Sequence, residues 1–188
     1  MDLGSNIRTW RQRQGLTLEE LAERTGVSRA MLSDIERGVK NPTIRVVVQI
    51  AEGFGCTVSQ LLGEQAQKTE TVIVTRHDER QILVDPHTGA QRHLLSPAFL
   101  QRGIEVIWYV IPPQQTGSFP PHQPGVVEHI TVVQGRLSCQ LGDWLLTLAS
   151  GDSVSFQANV PHDLHNPGPE PCYFFLLIDS GRAGYVPL

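Results

Sequence analysis

The N-terminal third of the chain has the hydrophobic pattern of short helices separated by turns. Between residues 1 and 64, apolar side chains recur every three or four positions, which is the spacing of one helix face. Gly15, Gly26 and Gly38 follow three of these stretches, and glycine is the residue most often found just after a helix end. The pattern predicts four helices and a short fifth helix over residues 58–62.

Hydroxyl side chains are placed to begin these helices. Thr17 and Glu20 have the spacing of a capping box, in which each side chain accepts a hydrogen bond from a backbone N–H group of the first turn. Ser28 and Thr43 precede the third and fourth apolar stretches and can cap them in the same position. Two short helices joined by a turn that contains Gly26 form the helix-turn-helix arrangement.

The pattern changes to that of strands in the second part of the chain. Residues 65–72 are polar and predict a linker between a domain over residues 1–64 and a domain over residues 73–188. Short runs rich in β-branched and aromatic residues then alternate with Gly, Pro or Asp turns, which predicts strands. These runs cover residues 71–75, 105–111, 130–133, 137–141, 144–148, 153–156 and 173–178. We therefore expect an α+β protein with an all-α first domain and an all-β sandwich or barrel as the second.

Composition and charge narrow the class of protein. The chain has 40% hydrophobic and 18% charged residues, as ordinary globular proteins do. It has no apolar run long enough to cross a bilayer and no N-terminal secretion signal, so we expect a cytoplasmic protein that does not contact a membrane. The three cysteines, Cys56, Cys139 and Cys172, are too widely spaced to suggest a disulfide framework or a zinc knuckle.

The net charge gives no support for nucleic-acid binding. The whole chain carries a formal charge of −4, and residues 1–64 contain eight basic and eight acidic side chains. DNA-binding domains are often basic. A prediction of DNA binding must therefore depend on the positions of particular residues.

The helical region resembles the phage-repressor-like, or Xre-type, DNA-binding domains, which have the lambda-repressor-like fold. The resemblance covers residues 3–62. The matching segments are Gly15-Leu16-Thr17, Leu21-Ala22-Glu23, Gly26-Val27-Ser28, residues 33–38 and Asn41-Pro42-Thr43. It implies that the third helix enters the major groove of a double-stranded DNA operator.

The candidate DNA-binding residues lie on this recognition helix and beside it. Arg29 can donate two hydrogen bonds to O6 and N7 of guanine, a contact worth about 1–3 kcal/mol of discrimination. Residues after the helix are placed for phosphates, which give affinity without sequence information. The predicted set is Thr17, Ser28, Arg29, Ala30, Ser33, Asp34, Arg37, Lys40 and Asn41. We interpret Glu36 as structural, holding the turn around Gly38. The alternative is that the basic residues are solvated charges on a protein-interaction domain.

The second half resembles the cupin superfamily, whose members are small jelly-roll barrels with an interior pocket. The first motif begins at His122 and contains Glu128, followed after six residues by Gly135. The second contains Gly151-Asp152, then Phe156, then Pro161-His162 and, after three further residues, Asn166. With the helical region, these motifs look like those of the Xre–cupin regulators.

The resemblance implies a divalent metal site, but one family position is missing here. The family's first motif has two His separated by one residue, and only His122 lies near those positions, in either of two registers. The candidate ligands are His122, Glu128 and His162, a set of N and O donors that suits zinc, iron, manganese or nickel. Neighbouring residues of a strand face opposite sides, so Glu128 and His129 cannot both face the pocket. The alternative is a pocket without metal that binds a polar effector directly.

We expect a homodimeric transcription regulator that is not an enzyme. The resemblance implies that a small effector, such as an amino acid, a polyamine or a sulfur metabolite, occupies the barrel. Its binding would change the arrangement of two recognition helices, whose half-sites lie about 34 Å apart. The alternative function is a metal-dependent cupin enzyme, an oxygenase or isomerase, with the helix-turn-helix domain as a tether. Three protein ligands leave coordination positions open for such chemistry.

Overall fold

The computed structural model describes residues 3–63 and 73–181, so the predicted linker over residues 65–72 lies outside the described residues. The described N-terminal part is helical, and the remainder consists mainly of antiparallel strands. The helices are α1 (Leu3–Arg13), α2 (Leu18–Thr25), α3 (Arg29–Glu36), α4 (Ile44–Phe54) and α5 (Val58–Leu61).

The predicted helix starts are confirmed by backbone geometry. The Thr17 amide donates to Glu20 Oε2 at 2.7 Å and the Glu20 amide donates to Thr17 Oγ1 at 3.2 Å, which is the capping box of α2. Ser28 caps α3 and Thr43 caps α4 in the N-cap position. Gly26 ends α2 with a φ of 67°, a conformation that a residue with a Cβ atom adopts only with strain.

Glu36 has a structural role, but its contact differs from the predicted one. Arg11 of α1 donates from Nε to Glu36 Oε1 at 2.7 Å and from Nη2 to Glu36 Oε2 at 2.9 Å. Such a two-point pair is among the stronger polar contacts in proteins. Glu36 therefore fixes the end of α3 to α1 instead of holding the turn around Gly38.

The strands form two sheets that face each other. One has six strands in the order β1-β2-β3-β10-β5-β8, and the other has four in the order β4-β9-β6-β7. The strands are β1 (Ile82–Val84), β2 (Gln91–Leu94), β3 (Ile104–Ile111), β4 (Thr116–Phe119), β5 (Val127–Gln134), β6 (Arg136–Leu141), β7 (Trp144–Ala149), β8 (Ser153–Gln157), β9 (His162–His165) and β10 (Cys172–Asp179). This is the expected all-β domain.

Six of the seven predicted strands are present, and the first is wrong in its described part. Residues 73–75 belong to no strand, and Val74 is 59% exposed. The prediction relied on a run of β-branched residues. A strand also needs a partner strand to pair with and a core to pack against, and the local sequence does not show whether these exist. The prediction missed β1, β2, β4 and β9, because these strands are short and three of them contain glycine or several polar residues.

Helices α4 and α5 pack over the space between the two sheets. The Ile44 amide at the start of α4 donates to Asp85 Oδ2 at 3.0 Å. The Ser59 amide of α5 donates to Glu105 Oε1 at 3.1 Å, and Glu105 also pairs with Arg92 at 2.9 Å. Ser59, Asp85, Arg92 and Glu105 are all buried, and buried polar groups require such partners. The helical part therefore contacts the barrel through a specific polar interface.

Candidate DNA interface and candidate metal centre

The recognition helix α3 presents one face to solvent. Leu32 and Ile35 are buried against the other helices, whereas Ser28, Arg29 and Ala30 at its start are exposed. Ser33 and Asp34 are partly exposed on the following turn, and Arg37, Lys40 and Asn41 are exposed after it. The predicted residues of the recognition helix therefore lie on an accessible surface.

Arg29 is held by an exposed ion pair with a residue of the preceding helix. Its Nε atom lies 2.5 Å from Glu19 Oε1 of α2, and the two side chains are 66% and 60% exposed. Ion pairs this exposed contribute about 0–1 kcal/mol. Release of the Arg29 side chain from Glu19 therefore costs little.

Asp34 contacts two of the candidate phosphate-binding residues. Its carboxylate lies 2.7 Å from Arg37 Nη2 and 3.3 Å from Lys40 Nζ. Hydrogen bonds from Arg37 and Lys40 lower the pKa of Asp34 below its ordinary value, so it stays ionised at neutral pH. In this arrangement Asp34 positions two cations beside the recognition helix. The Thr17 hydroxyl, at the exposed start of α2, is engaged in the capping box.

The three candidate metal ligands converge between the sheets. One ligand atom from each of His122, Glu128 and His162 lies within 4.8 Å of the other two. Glu128 on β5 and His162 at the start of β9 are each 2% exposed. His122 lies in the loop before β5, where its amide donates to the Ala158 carbonyl at 2.9 Å. The loop turns the His122 side chain inward, so its direction does not depend on a strand register. His129 contacts Ser155 on the opposite face of β5.

Both imidazoles direct Nε2 toward Glu128. His122 Nε2 lies 3.0 Å from Glu128 Oε1, and His162 Nε2 lies 3.6 Å from Glu128 Oε2. The outer nitrogens have other partners: His162 Nδ1 bonds the Val160 carbonyl at 3.0 Å, and His122 Nδ1 bonds Glu52 Oε1 at 2.5 Å. A carbonyl oxygen only accepts, so Nδ1 of His162 carries the hydrogen and neutral His162 has its lone pair on Nε2.

The donor set fits a divalent metal. Glu128 Oε2 is buried and has no hydrogen-bond partner within the part of the chain that the structure describes. An unpaired buried acceptor costs about 1–3 kcal/mol, and more when it is charged. A cation between this oxygen and the two Nε2 atoms would supply the partner, and two imidazoles with one carboxylate suit zinc, iron, manganese or nickel.

Two carboxylates govern the protonation of His122. Burial lowers its pKa, but hydrogen bonds and charge from Glu128 and Glu52 outweigh this effect and raise the pKa of His122 to about 10. His122 is therefore an imidazolium at neutral pH when no metal is bound. A metal at this site has to displace that proton, because only the neutral imidazole is a ligand.

The cluster lines a small, partly open cavity at the contact between the helices and the barrel. Its volume is about 40 Å³, and its walls include Val48 and Glu52 of α4, Cys56, and Tyr109 of β3. This volume holds an ion with one or two waters, since a water requires about 10–15 Å³ on this scale. A wider groove of about 530 Å³ lies on the far side of Phe156, whose ring meets that of His162 edge-on at 5.4 Å.

Sequence reasoning missed Glu52 and Tyr109 at this site, whereas Phe156 belongs to the second cupin motif. A signal for the helical contribution was available in α4, whose apolar residues surround most of the helix. Those residues are Ile44, Val47, Val48, Ile50, Ala51 and Phe54, and all are buried. A helix that is apolar on more than one face packs against more than one neighbour.

Comparison with known proteins gives the same two-part organisation. Residues 7–61 match the helix-turn-helix family model, and residues 107–178 match that of the cupin domain. The chain is 32% identical over 182 residues to the HTH-type transcriptional regulator SutR of Escherichia coli (strain K12), and the match covers 96% of both chains. The crystal structure of an HTH_3 family transcriptional regulator from Vibrio cholerae covers 95% of this chain and 94% of its own, with 25% identity and a TM-score of 0.79.

The fold is also similar to that of an enzyme. Hydroxypropylphosphonic acid epoxidase from S. wedmorenis matches 95% of this chain and 96% of its own, with 17% identity and a TM-score of 0.50. At this identity the similarity shows the fold alone. None of the helices in residues 3–63 and 73–181 is long and apolar enough to cross a membrane.

Proposed function

Because the chain belongs to the Xre–cupin family of HTH-type transcriptional regulators, we propose that its barrel senses a small metabolite through a divalent metal and thereby alters operator binding. The observation that carries this proposal is the cavity at the domain contact. Its walls contain the three candidate ligands and also residues of α4 and α5 from the DNA-binding part. A change in the cavity therefore acts on α4, which packs against α1 and α2, the two helices that hold the recognition helix.

On the DNA side, we assign specificity to the start of α3 and affinity to its surroundings. Arg29, with Ser28, Ala30 and Ser33, contacts base edges in the major groove. Arg37, Lys40, Asn41 and Thr17 contact phosphates, and Asp34 orients Arg37 and Lys40. Base contacts specify the sequence, whereas phosphate contacts fix position and supply affinity.

On the effector side, His122, Glu128 and His162 would hold the ion and leave coordination positions open. The carboxylate, amine or thiolate of an amino acid, a polyamine or a sulfur metabolite can occupy such a position. The cavity volume of about 40 Å³ is too small to take a whole molecule of this kind beside an ion. Effector entry therefore requires movement, either of α4 away from the barrel or of Phe156 away from the wider groove.

We assign dimerisation to the outer face of the six-stranded sheet. Trp108 lies 5.0 Å from Phe175 and 5.8 Å from Tyr173 between ring centroids, and these rings form an apolar surface. Phe175 and Val133 on this face are 40% and 42% exposed. A second copy of the chain is the fitting occupant, because a two-fold dimer presents two recognition helices to two half-sites.

Fluorescence anisotropy with labelled DNA tests the proposal. The protein is titrated with the DNA upstream of its own gene and with a scrambled duplex of equal length, with and without Zn²⁺, in candidate metabolites and at several salt concentrations. We expect preference for the upstream DNA, and an affinity that metal with one metabolite class changes. Equal affinity for both duplexes at all salt concentrations would refute the regulator. Turnover of the metabolite by metal-loaded protein would favour the enzyme instead. We expect the regulator to act in the cytoplasm.

A further inference from the structure

One acidic side chain of the DNA-binding part reaches the candidate metal centre of the barrel. Glu52 is on α4, and its Oε1 atom lies 2.5 Å from Nδ1 of His122. The two side chains are 17% and 10% exposed, so the contact is largely shielded from water. His122 Nε2, on the other side of the same ring, points to Glu128 at 3.0 Å.

This geometry is that of a metal-binding imidazole with its outer partner. A His ligand usually donates its second ring N–H to a carboxylate or a carbonyl, which fixes the tautomer and the ring orientation and makes the other nitrogen a stronger donor. For His162 that partner is the Val160 carbonyl of the same domain. For His122 it is Glu52, which belongs to the other domain.

The contrast between the two imidazoles makes Glu52 the more important partner. His162 begins a paired strand, so the pairing of β9 with β4 and β6 restricts its direction. His122 lies in a loop, and no strand pairing fixes its side chain. The direction of its imidazole is therefore set by side-chain contacts, with Glu52 at Nδ1 and Glu128 at Nε2.

We propose that Glu52 is the positioning residue of His122, and that through it metal binding in the barrel and docking of the DNA-binding domain stabilise each other. This inference deepens the proposed function and rests on its metal site. Coupling between two equilibria is reciprocal: if docking raises the metal affinity by some factor, metal binding favours docking by the same factor. Loss of an outer partner typically lowers metal affinity about 10–100-fold.

The position of α4 does not depend on Glu52 alone. Asp85 accepts from the Ile44 amide at 3.0 Å, and Glu105 accepts from the Ser59 amide at 3.1 Å. A variant at position 52 can therefore keep the domains in contact while it changes the metal site. The two amides also serve as reporters, because each lies in the first turn of a helix and has its acceptor on the barrel.

The test compares Glu52→Gln with Glu23→Gln, an exposed position on α2, in the full chain. Cobalt(II) is the probe, since its absorption spectrum reports the ligands and its competition with Zn²⁺ gives both affinities. We expect Glu52→Gln to weaken cobalt binding about 10–100-fold and to shift the absorption bands, whereas Glu23→Gln matches wild type. A merely structural role for Glu52 would change stability without moving the bands.

Hydrogen exchange measures the second half of the proposal. In the wild-type protein, Zn²⁺ should slow exchange of the Ile44 and Ser59 amides, while the Leu32 amide within α3 is unchanged. In Glu52→Gln this protection should largely disappear at equal metal occupancy. Wild-type cobalt affinity and wild-type protection in Glu52→Gln would overturn the role of Glu52 and leave the metal-dependent regulator intact. A wild-type protein that binds neither cobalt nor zinc would overturn the metal site and this inference together.

Discussion

Replacement of Glu105 by Gln tests how much the buried ion pair between Arg92 and Glu105 contributes to the stability of the protein. The change keeps the size of the side chain and an oxygen that can accept from the Ser59 amide. It removes the negative charge that faces Arg92 at 2.9 Å. The guanidinium of Arg92 would then be buried without a counter-charge.

The burial of the pair sets the size of the expected effect. The side chains of Arg92 and Glu105 are 4% and 3% exposed, so water cannot replace the lost partner. Breaking a buried pair by removing one member costs about 3–5 kcal/mol, because the remaining charge keeps its desolvation penalty. We therefore expect Glu105→Gln to lower the free energy of unfolding by about 3–5 kcal/mol.

Guanidinium chloride unfolding, followed by circular dichroism and tryptophan fluorescence, measures this change as a shift of the midpoint at constant slope. Glu170→Gln, in an exposed loop, is the matched control and should change stability by less than about 0.5 kcal/mol. The double variant Arg92→Met with Glu105→Met should recover only part of the loss, since it leaves no buried charge but removes the acceptor of the buried Ser59 amide. A loss below about 1 kcal/mol in Glu105→Gln would refute the reasoning that Arg92 depends on Glu105.

Four further predictions concern the two candidate sites. Arg29→Ala should reduce preference for the operator over scrambled DNA by about 5–150-fold, corresponding to about 1–3 kcal/mol, and leave weak, salt-sensitive binding. Competition anisotropy measures this preference, with Arg136→Ala on the barrel as the control. Unchanged discrimination would show that Arg29 does not contact bases in the major groove. Residues 1–66 alone should fold as helices but bind DNA more weakly than the full chain, because a monomer engages one half-site; circular dichroism and anisotropy test this, and full-length affinity would contradict dimerisation through the barrel. Protein purified without chelator should carry close to one divalent ion per chain and His162→Ala should lose it, as elemental analysis will report; equal metal content in both would exclude His162 as a ligand. Because the pKa of His122 is raised to about 10, the apparent zinc affinity should keep increasing with pH above 7, as metal displaces its proton. Calorimetry in buffers of different ionisation enthalpy measures the released proton. An affinity that levels off near pH 6.5 would contradict the raised pKa.

Local signals in the sequence predict most of the fold and part of the candidate site. The capping residues Thr17, Ser28 and Thr43 act within their own helices, so spacing alone predicts them. Strand alternation places Glu128 and His129 on opposite faces of β5, and the resemblance to the cupin motif selects Glu128 as the inward residue. Predictions of this kind succeed because cause and effect lie within a few residues of each other.

Contacts between distant segments could not be predicted in this way. Glu52 and His122 are 70 positions apart, and their contact exists only because α4 packs over the barrel. Strand β2 contains Gln91, Arg92 and His93, a polar sequence that pairs with β3 because Arg92 has Glu105 as a buried partner. In both cases the stabilising partner is supplied by tertiary structure, which periodicity does not encode.

The double role of α4 has a consequence for protein engineering. This helix packs against α1, α2 and α5 on one side and contributes Ile44, Val48, Ala51 and Glu52 to the barrel cavity on the other. A chimaera that joins residues 1–63 to an unrelated sensor barrel would expose that apolar side and leave the Ile44 and Ser59 amides without their acceptors. The boundary at which the two modules can be exchanged is therefore the inner face of α4, and a functional hybrid has to carry Glu52 and its neighbours matched to the new barrel.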